Sequence, residues 1–159
     1  MESTSTTNNH NSHNTDSHTQ NCIFCRIAAG EIPSYGVYED DQLKAFLDIR
    51  PIRPGHVLIV PKQHHNYYDD MPPELACAVM HLGQRLGKAM KALYNVERVA
   101  FLFTGTDVNH VHAHVLPMHE KTDITSPIYI EQNELTFRLA PQASSEELLQ
   151  VRDALKEHT

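Results

Sequence analysis

The sequence predicts a mixed domain in which short strands are grouped around one long helix. Short apolar runs rich in β-branched residues recur between residues 35 and 116, bounded by acidic or proline-containing turns, as is typical of strands. One long segment, beginning at Pro72, carries apolar residues at helical spacing over several turns. With 159 residues in total, the chain is expected to form a single domain.

The first twenty residues differ in composition from the rest of the chain. After Met1 they are only Ser, Thr, Asn, His, Gln, Asp and Glu, so we expect a disordered tail without a secretory signal. The net charge of −7 argues against nucleic-acid and anionic-membrane partners, which require a basic surface. The three cysteines, Cys22, Cys25 and Cys77, do not resemble a disulfide framework. We therefore expect a cytoplasmic protein with no membrane span.

The individual elements follow from turn and spacing signals. Residues 22–30 predict a short helix that ends at Gly30. The runs 35–38 and 43–48, joined by an acidic turn, predict a hairpin, and 56–60 predict a buried central strand. The remaining predicted elements are a helix from Pro72 or Pro73 to about Leu93, strands at 97–103, 110–116 and 135–139, and a final helix capped by Ser144.

The long helix has a regular apolar stripe. Its members follow one another at spacings of three or four residues, and they are Leu75, Val79, Leu82, Leu86, Met90 and Leu93. Cys77 lies near this stripe and is predicted to be a small core residue rather than a nucleophile.

Three histidines alternate with small apolar residues in the run 109–116. Alternate side chains of a strand share a face, so His110, His112 and His114 are expected together, opposite Val111 and Ala113. Such a row suits metal binding. It also suits nucleophilic attack on phosphorus, with neighbouring imidazoles bonded to phosphoryl oxygens. A half-exposed strand with a polar face is the alternative.

Cys22 and Cys25 form a Cys-x-x-Cys pair that suits a metal site or a redox pair. A thioredoxin-type site would require a βαβ pattern, which this sequence lacks. A structural zinc site requires two further ligands, and the candidates are His56, His64, His65, His110, His112 and His114. The alternative interpretation is a pair of reduced thiols that binds no metal.

Taken together, these stretches resemble the histidine-triad (HIT) superfamily, in particular its zinc-bearing bacterial-type members on the Hint and fragile-histidine-triad side. Residues 110–116 match the signature His-φ-His-φ-His-φ-φ, where φ is apolar. Further matches in the same order lie at 22–33, 37–41, 45–49 and 54–62.

The resemblance implies an α+β fold with a five-stranded antiparallel sheet, one long helix, a short N-terminal helix and a C-terminal helix. Two copies are implied to pair as a homodimer with one ten-stranded sheet. The implied HIT domain covers residues 21–125, and residues 126–159 form a C-terminal extension that contains a helix.

The resemblance also implies a nucleotide hydrolase or nucleotidyl transferase that acts at the α-phosphate of dinucleoside polyphosphates or nucleoside phosphoramidates. The implied catalytic set is His56, His110, His112 and His114. In this set His112 attacks phosphorus and forms a covalent nucleotidyl-histidine, while His56 and His114 contact the phosphate. The alternative is a zinc-stabilised protein that binds nucleotides or partners and hydrolyses only incidentally.

A structural zinc ion is also implied. Its ligands would be Cys22, Cys25, His64 and His110, with His65 as the alternative to its neighbour. No catalytic metal is implied, and Mg²⁺ would arrive only with the substrate.

The nucleotide pocket is the last expectation. The residues implied to hold the base are Phe24, Ile27, Phe46, Ile49 and Leu58, for which ordinary core packing is the alternative. Asp48 matches the carboxylate that binds the ribose hydroxyls, and a turn-forming role is its alternative. The link before the triad is shorter than the Gly-rich loop of many relatives, and the candidates to replace its phosphate contacts are Thr104, Thr106 and Asn109.

Overall fold

The computed structural model describes residues 21–105, 107–120, 123–124 and 142–158. Its helices are α1 (Ile23–Ala28), α2 (Pro73–Tyr94) and α3 (Ser145–His158). Its strands are β1 (Gly36–Glu39), β2 (Leu43–Leu47), β3 (Val57–Pro61), β4 (Arg98–Phe103) and β5 (Ala113–Met118). A 3₁₀ turn, Tyr68–Asp70, precedes α2.

The five strands form one antiparallel sheet in the order β1-β2-β3-β5-β4. β1 and β2 are the predicted hairpin, and β5 lies between β3 and β4. His114 of β5 is therefore opposite Leu58 on one side and opposite Leu102 on the other. The five-stranded antiparallel α+β fold is confirmed.

The main core lies between the sheet and α2. The predicted apolar stripe of this helix is buried along most of its length, with Leu86 and Met90 fully inaccessible to solvent. Cys77 is exposed, so its predicted core position is wrong. Each residue of an α-helix advances the direction of the side chain by about 100°. Cys77 is two residues from both Leu75 and Val79, and it therefore lies on the opposite face.

The final helix, α3, belongs to the same core. Ser144 caps it as predicted, since the Glu147 backbone N–H donates to Ser144 Oγ and the Ser144 hydroxyl and N–H donate to the Glu147 carboxylate. Leu148 and Leu155 of α3 are buried with the residues of α2 and the sheet. The boundary at residue 126 stays a prediction.

A second, smaller apolar cluster covers the other face of the sheet. Phe24 and Ile27 of α1 pack against Phe46 of β2 and against Leu58 and Val60 of β3. The neighbours of these strand residues, such as Ala45 and Ile59, belong to the main core. This alternation places α1 and α2 on opposite faces of the sheet.

Two predictions fall outside the described residues. They are the disordered tail at residues 1–20 and the strand at 135–139. In the part of the chain that the structure describes, no helix combines the length and the apolar character needed to cross a membrane.

Candidate active site and metal centre

Of the three triad histidines, only His114 lies in a strand of the sheet. β5 begins at Ala113, so the strand predicted over 110–116 is wrong for His110 and His112. The backbone of this segment bonds elsewhere, because His110 N–H donates to Val108 O at 2.8 Å and Val111 N–H donates to His65 O at 2.8 Å.

The alternation of side chains nevertheless continues through the segment. Val111 and Ala113 are buried in the main core. His110 and His112 lie on the side of α1, with ring centroids 6.0 and 5.0 Å from that of Phe24. The rings of His112 and His114 are 4.9 Å apart.

The two nitrogens of His112 have different roles. Nδ1 lies 2.7 Å from the carbonyl oxygen of His110. A carbonyl oxygen only accepts, so Nδ1 carries the proton and donates. In the neutral ring Nε2 then has a free lone pair, as a nucleophile requires.

His110 is present as the opposite tautomer, with its proton on Nε2. Its Nε2 donates to Pro61 O at 2.9 Å, in a fully buried position. The unprotonated Nδ1 lies 3.4 Å from the sulfur of Cys22 and 3.4 Å from that of Cys25.

His64 completes a four-residue cluster with these three side chains. Its Nδ1 lies 3.3 Å from Cys25 Sγ, and one donor atom from each of the four residues lies within 4.8 Å of all the others. Two thiolates and two imidazoles are a donor set that suits tetrahedral zinc. His65 is outside the cluster, and its Nε2 is buried with no hydrogen-bond partner among the described residues.

The electrostatics of the cluster also suit a cation. Burial and the neighbouring Cys22 raise the pKa of Cys25 to about 12, because a buried second thiolate has no compensating positive charge. A metal ion supplies that charge and is the usual reason for two close thiolates. The residues present therefore fit the implied metal.

A second chain of hydrogen bonds runs through His56 and His114. The backbone N–H of Ile52 donates to His56 Nδ1 at 3.3 Å. His56 Nε2 therefore carries the proton and donates to His114 Nδ1 at 2.9 Å. His114 in turn donates through Nε2 to Thr104 Oγ1 at 3.0 Å.

This direction requires both rings to be neutral. Burial lowers the pKa of His56, and it lowers the pKa of His114 to about 3, with the charge of a protonated His56 acting in the same sense. At neutral pH the pair therefore carries no net charge, and the N–H of His114 Nε2 is held in a fixed direction.

Asp48 lies at the end of β2, next to this pair. One carboxylate oxygen is 3.7 Å from His56 Nδ1, and the other accepts the Arg50 backbone N–H at 2.8 Å. The second contact is the turn-forming role considered above, and the first brings the carboxylate to the histidine pair.

The structure brings four of the five candidate base contacts together. Phe24, Ile27, Phe46 and Leu58 belong to the smaller apolar cluster, which lies beside His112. Ile49 is not in this cluster and is 45% exposed, while its carbonyl accepts the Ala143 N–H.

Of the three candidates in the loop before the triad, one contacts a triad histidine. Thr104 Oγ1 accepts the hydrogen bond from His114 Nε2. Asn109 contacts Asn66 instead of the histidine pair, with Nδ2 3.1 Å from Asn66 Oδ1. Thr106 is outside the described residues.

Sequence reasoning missed two residues near the site. Asn66 Oδ1 is 3.2 Å from His64 Nε2, and the Tyr67 ring covers Gly105 in the loop before the triad. The only local signal is that both follow closely after His64 in a polar connector. Their partners are distant in sequence, and spacing does not reveal such contacts.

The sequence that forms this sheet and histidine cluster matches a known protein family. The family model of the HIT domain matches residues 29–121, which include all of the sheet and the three triad histidines. The chain belongs to the HIT family.

Curated HIT relatives align over the same region. An uncharacterized HIT-like protein of Methanocaldococcus jannaschii is 42% identical over 103 residues, covering 62% of this chain and 80% of the relative. An adenosine 5'-monophosphoramidase of Saccharomyces cerevisiae is 42% identical over 101 residues, covering 63% of this chain and 64% of the relative.

Solved HIT structures share the fold. A Hit-like protein from Bartonella henselae superposes with a TM-score of 0.71 at 27% identity, covering 88% of this chain and 98% of its own. A zinc-bound histidine-triad protein from Mycobacterium smegmatis has a TM-score of 0.66 at 29% identity, with coverage of 87% and 96%.

Proposed function

We propose that this HIT protein is a nucleotide hydrolase that cleaves at the α-phosphate through a covalent nucleotidyl-histidine on His112. The observation that carries the proposal is the bond from His112 Nδ1–H to the carbonyl oxygen of His110. In the neutral ring this bond leaves Nε2 with a free lone pair, beside the buried His56 and His110 and the half-buried His114. A polar strand face without chemistry needs no such arrangement.

The reaction has two steps. The Nε2 lone pair of His112 forms a bond to the α-phosphorus while the bond to the leaving group breaks, and the leaving group takes the electron pair and a proton from solvent. Water then attacks phosphorus and gives a proton back to solvent, the N–P bond breaks with its electron pair returning to His112 Nε2, and the nucleoside monophosphate is released. The N–H donor of His114 and the hydroxyl of Thr104 are the groups proposed to bond the phosphoryl oxygens as charge accumulates.

The proposed substrates are nucleoside phosphoramidates and dinucleoside polyphosphates. Two fungal relatives, from Saccharomyces cerevisiae and Candida albicans, are adenosine 5'-monophosphoramidases, which supports the first class. The proposed base contacts are the buried residues of the smaller apolar cluster, with Asp48 as the ribose contact.

The test is a substrate panel with wild-type and His112→Asn protein. The panel contains adenosine phosphoramidate, diadenosine polyphosphates and nucleotide sugars. We expect His112→Asn to bind AMP as wild type does and to lose turnover by about 1,000-fold or more, because the nucleophile is absent. Mass spectrometry of quenched wild-type reactions should detect the chain with one added nucleotidyl group.

His81→Asn is the matched control. His81 is exposed on α2, away from the cluster, so its loss should leave kcat and KM unchanged. Turnover by His112→Asn within a few-fold of wild type would contradict the covalent mechanism.

We also propose that Cys22, Cys25, His64 and His110 hold a structural zinc ion. Its contribution would be to tie α1 and the connector after β3 to the segment that carries the triad. The zinc-bound relative from Mycobacterium smegmatis supports this choice of metal. The three cysteines are free, as is usual in a reducing compartment, which supports a cytoplasmic protein.

The zinc content of the purified chain tests this proposal. We expect about one zinc per chain in wild type and a large loss in Cys25→Ser, since one soft ligand is removed. Cys77→Ser is the control, because Cys77 is exposed and outside the cluster. Equal zinc content in Cys25→Ser and wild type would contradict the assignment.

We further propose that two copies pair through β4. Within the described residues this strand pairs with β5 on one side only, and an unpaired edge is a template for another strand. The pocket between α2 and β4 is lined by the apolar or small residues Met80, Gly83 and Gly87 and also by Lys88, Lys91 and Arg98. Pairing of two β4 strands would give the ten-stranded sheet implied by the resemblance.

A further inference from the structure

Asn66 lies between the candidate metal centre and the loop before the triad. Its Oδ1 is 3.2 Å from His64 Nε2 and 3.1 Å from Asn109 Nδ2. One amide oxygen thus connects the connector after β3 with the residue that precedes His110.

The donors in this bridge can be assigned. An amide nitrogen donates and an amide oxygen accepts, so Asn66 Oδ1 is the acceptor of both bonds. His64 Nε2 therefore carries the proton. In the neutral ring the lone pair is then on Nδ1, the atom 3.3 Å from Cys25 Sγ. Asn66 thus favours the tautomer in which His64 can bind a metal ion.

The bridge also reaches the second histidine of the centre. Asn109 is followed directly by His110, whose Nδ1 faces both cysteine sulfurs. By holding Asn109 next to His64, Asn66 fixes the approach of one histidine-bearing segment to the other.

We propose that Asn66 is a positioning residue that raises the zinc affinity of the centre by orienting His64 and by holding Asn109 beside it. The inference rests on the proposed zinc site. Outer partners of metal-bound histidines commonly fix the tautomer and ring orientation in this way.

The two histidines differ in how they are held. His110 donates to the carbonyl of Pro61, a buried backbone group that no side-chain substitution removes. His64 depends on an exposed side chain. A substitution at residue 66 therefore removes a direct contact of the His64 ring, whereas it can act on His110 only through Asn109.

This inference gives Asn109 a different role from the predicted phosphate contact. Its amide is directed at Asn66. We therefore expect Asn109→Ala to weaken zinc binding and to leave the affinity for AMP unchanged.

The experiment measures zinc affinity of the full chain by competition with a chromophoric chelator. We expect Asn66→Ala to bind zinc about tenfold more weakly. That is the lower end of the range for lost outer partners, since water can reach the exposed position. Asn66→Asp keeps an acceptor for His64 Nε2–H and should restore wild-type affinity. Gln63→Ala, at an exposed neighbour, should match wild type.

Co²⁺ supplies a spectroscopic readout of the same binding. The thiolate-to-cobalt absorption should saturate at about tenfold higher free Co²⁺ in Asn66→Ala and at the wild-type concentration in Asn66→Asp. The histidine-containing tail is identical in all variants, so any binding to it cancels in the comparison.

Three results would contradict the inference, and the first two can be told apart. Zinc bound by wild type and by Asn66→Ala with equal affinity overturns the role of Asn66 alone. A wild-type chain that binds no zinc overturns the zinc site together with the role of Asn66. Failure of Asn66→Asp to restore affinity also contradicts the positioning role.

Discussion

Single protons determine what each histidine of the cluster can do. His110 donates from Nε2 to a backbone carbonyl and His112 donates from Nδ1, so their lone pairs lie on different ring nitrogens. The lone pair of His110 faces the two sulfurs, and that of His112 stays free. The proposed division of work between metal binding and attack on phosphorus therefore follows from which backbone oxygen each ring reaches.

The half-buried ring of His114 predicts how stability depends on pH. The pKa of His114 falls from 6.5 to about 3 on folding because burial disfavours the charged ring. Between these two values the unfolded chain binds the extra proton and the folded chain does not. Above about pH 6.5 this difference in pKa does not affect the free energy of unfolding. As the pH falls from about 6.5 toward 3, protonation of the unfolded chain lowers the free energy of unfolding progressively.

Urea unfolding between about pH 7.5 and about pH 4.5 measures this effect. We expect the free energy of unfolding to fall with pH in wild type and to fall less steeply in His114→Gln, which donates to Thr104 but does not titrate. The pKa of Asp123 is lowered to about 2 by its bond to Arg53, so its own loss of stability begins below this range. Equal slopes in the two proteins would contradict the assignment.

At the scale of elements, the loop between β4 and β5 depends on a glycine. Gly105 has φ of +70°, and a Cβ atom there would overlap the ring of Tyr67. The Tyr67 hydroxyl is 3.5 Å from the Thr104 carbonyl. The ring therefore packs against the loop that presents Thr104 to His114.

Gly105→Ala separates the two constraints on this loop. The positive φ alone costs about 1 kcal/mol for alanine, and overpacking against Tyr67 adds about 1–3 kcal/mol. We expect Gly105→Ala to lower the free energy of unfolding by the sum and to reduce kcat through displacement of Thr104. In a Tyr67→Ala background the same substitution should cost only the first amount.

Gly30→Ala is the matched control for the backbone term. Gly30 has φ of +80°, and a Cβ atom added there would have no neighbour within 4 Å. Equal costs for Gly30→Ala and Gly105→Ala in urea unfolding would contradict the role of the Tyr67 contact.

At the scale of the whole molecule, the two edge strands of the sheet, β1 and β4, have different surroundings. β1 is flanked by α3, which packs against it, while β4 borders the surface of α2 that holds Gly83 and Gly87. The ring of Phe101 fills the space beside Gly83, where a Cβ would lie 2.5 Å away. The small residues thus let α2 approach the edge strand closely.

The proposed homodimer predicts the effect of a charge beside β4. Met80 is 46% exposed on α2, so Met80→Glu should preserve the fold while placing a carboxylate that loses its hydration at the proposed interface. We expect a mass of about twice 18.1 kDa for wild type and a larger monomer fraction for Met80→Glu in sedimentation experiments. Leu149→Glu, at a similarly exposed apolar residue of α3, should remain dimeric. A monomeric wild type would contradict the pairing.

Much of this architecture could be predicted from local patterns. The stripe of α2, the Ser144 cap and the hairpin depend on residues close in sequence, and the structure agrees with each prediction. Two errors have local causes as well. Proximity to the stripe suggests a core position for Cys77, whereas the helical angle turns it outward. The alternation at His110 and His112 suggests a strand, although alternation looks the same in any extended segment.

The sequence by itself determined the donor types, the histidine alternation and the membership of the HIT family, because these depend on residue identity and spacing. Only the tertiary structure decided that His64 and not His65 reaches the sulfurs, that His112 keeps Nε2 free, and that Asn109 bonds Asn66. Adjacent residues of an extended segment point in different directions, and which one meets a partner depends on segments brought together by folding. A hydrogen bond between distant residues leaves no trace in spacing.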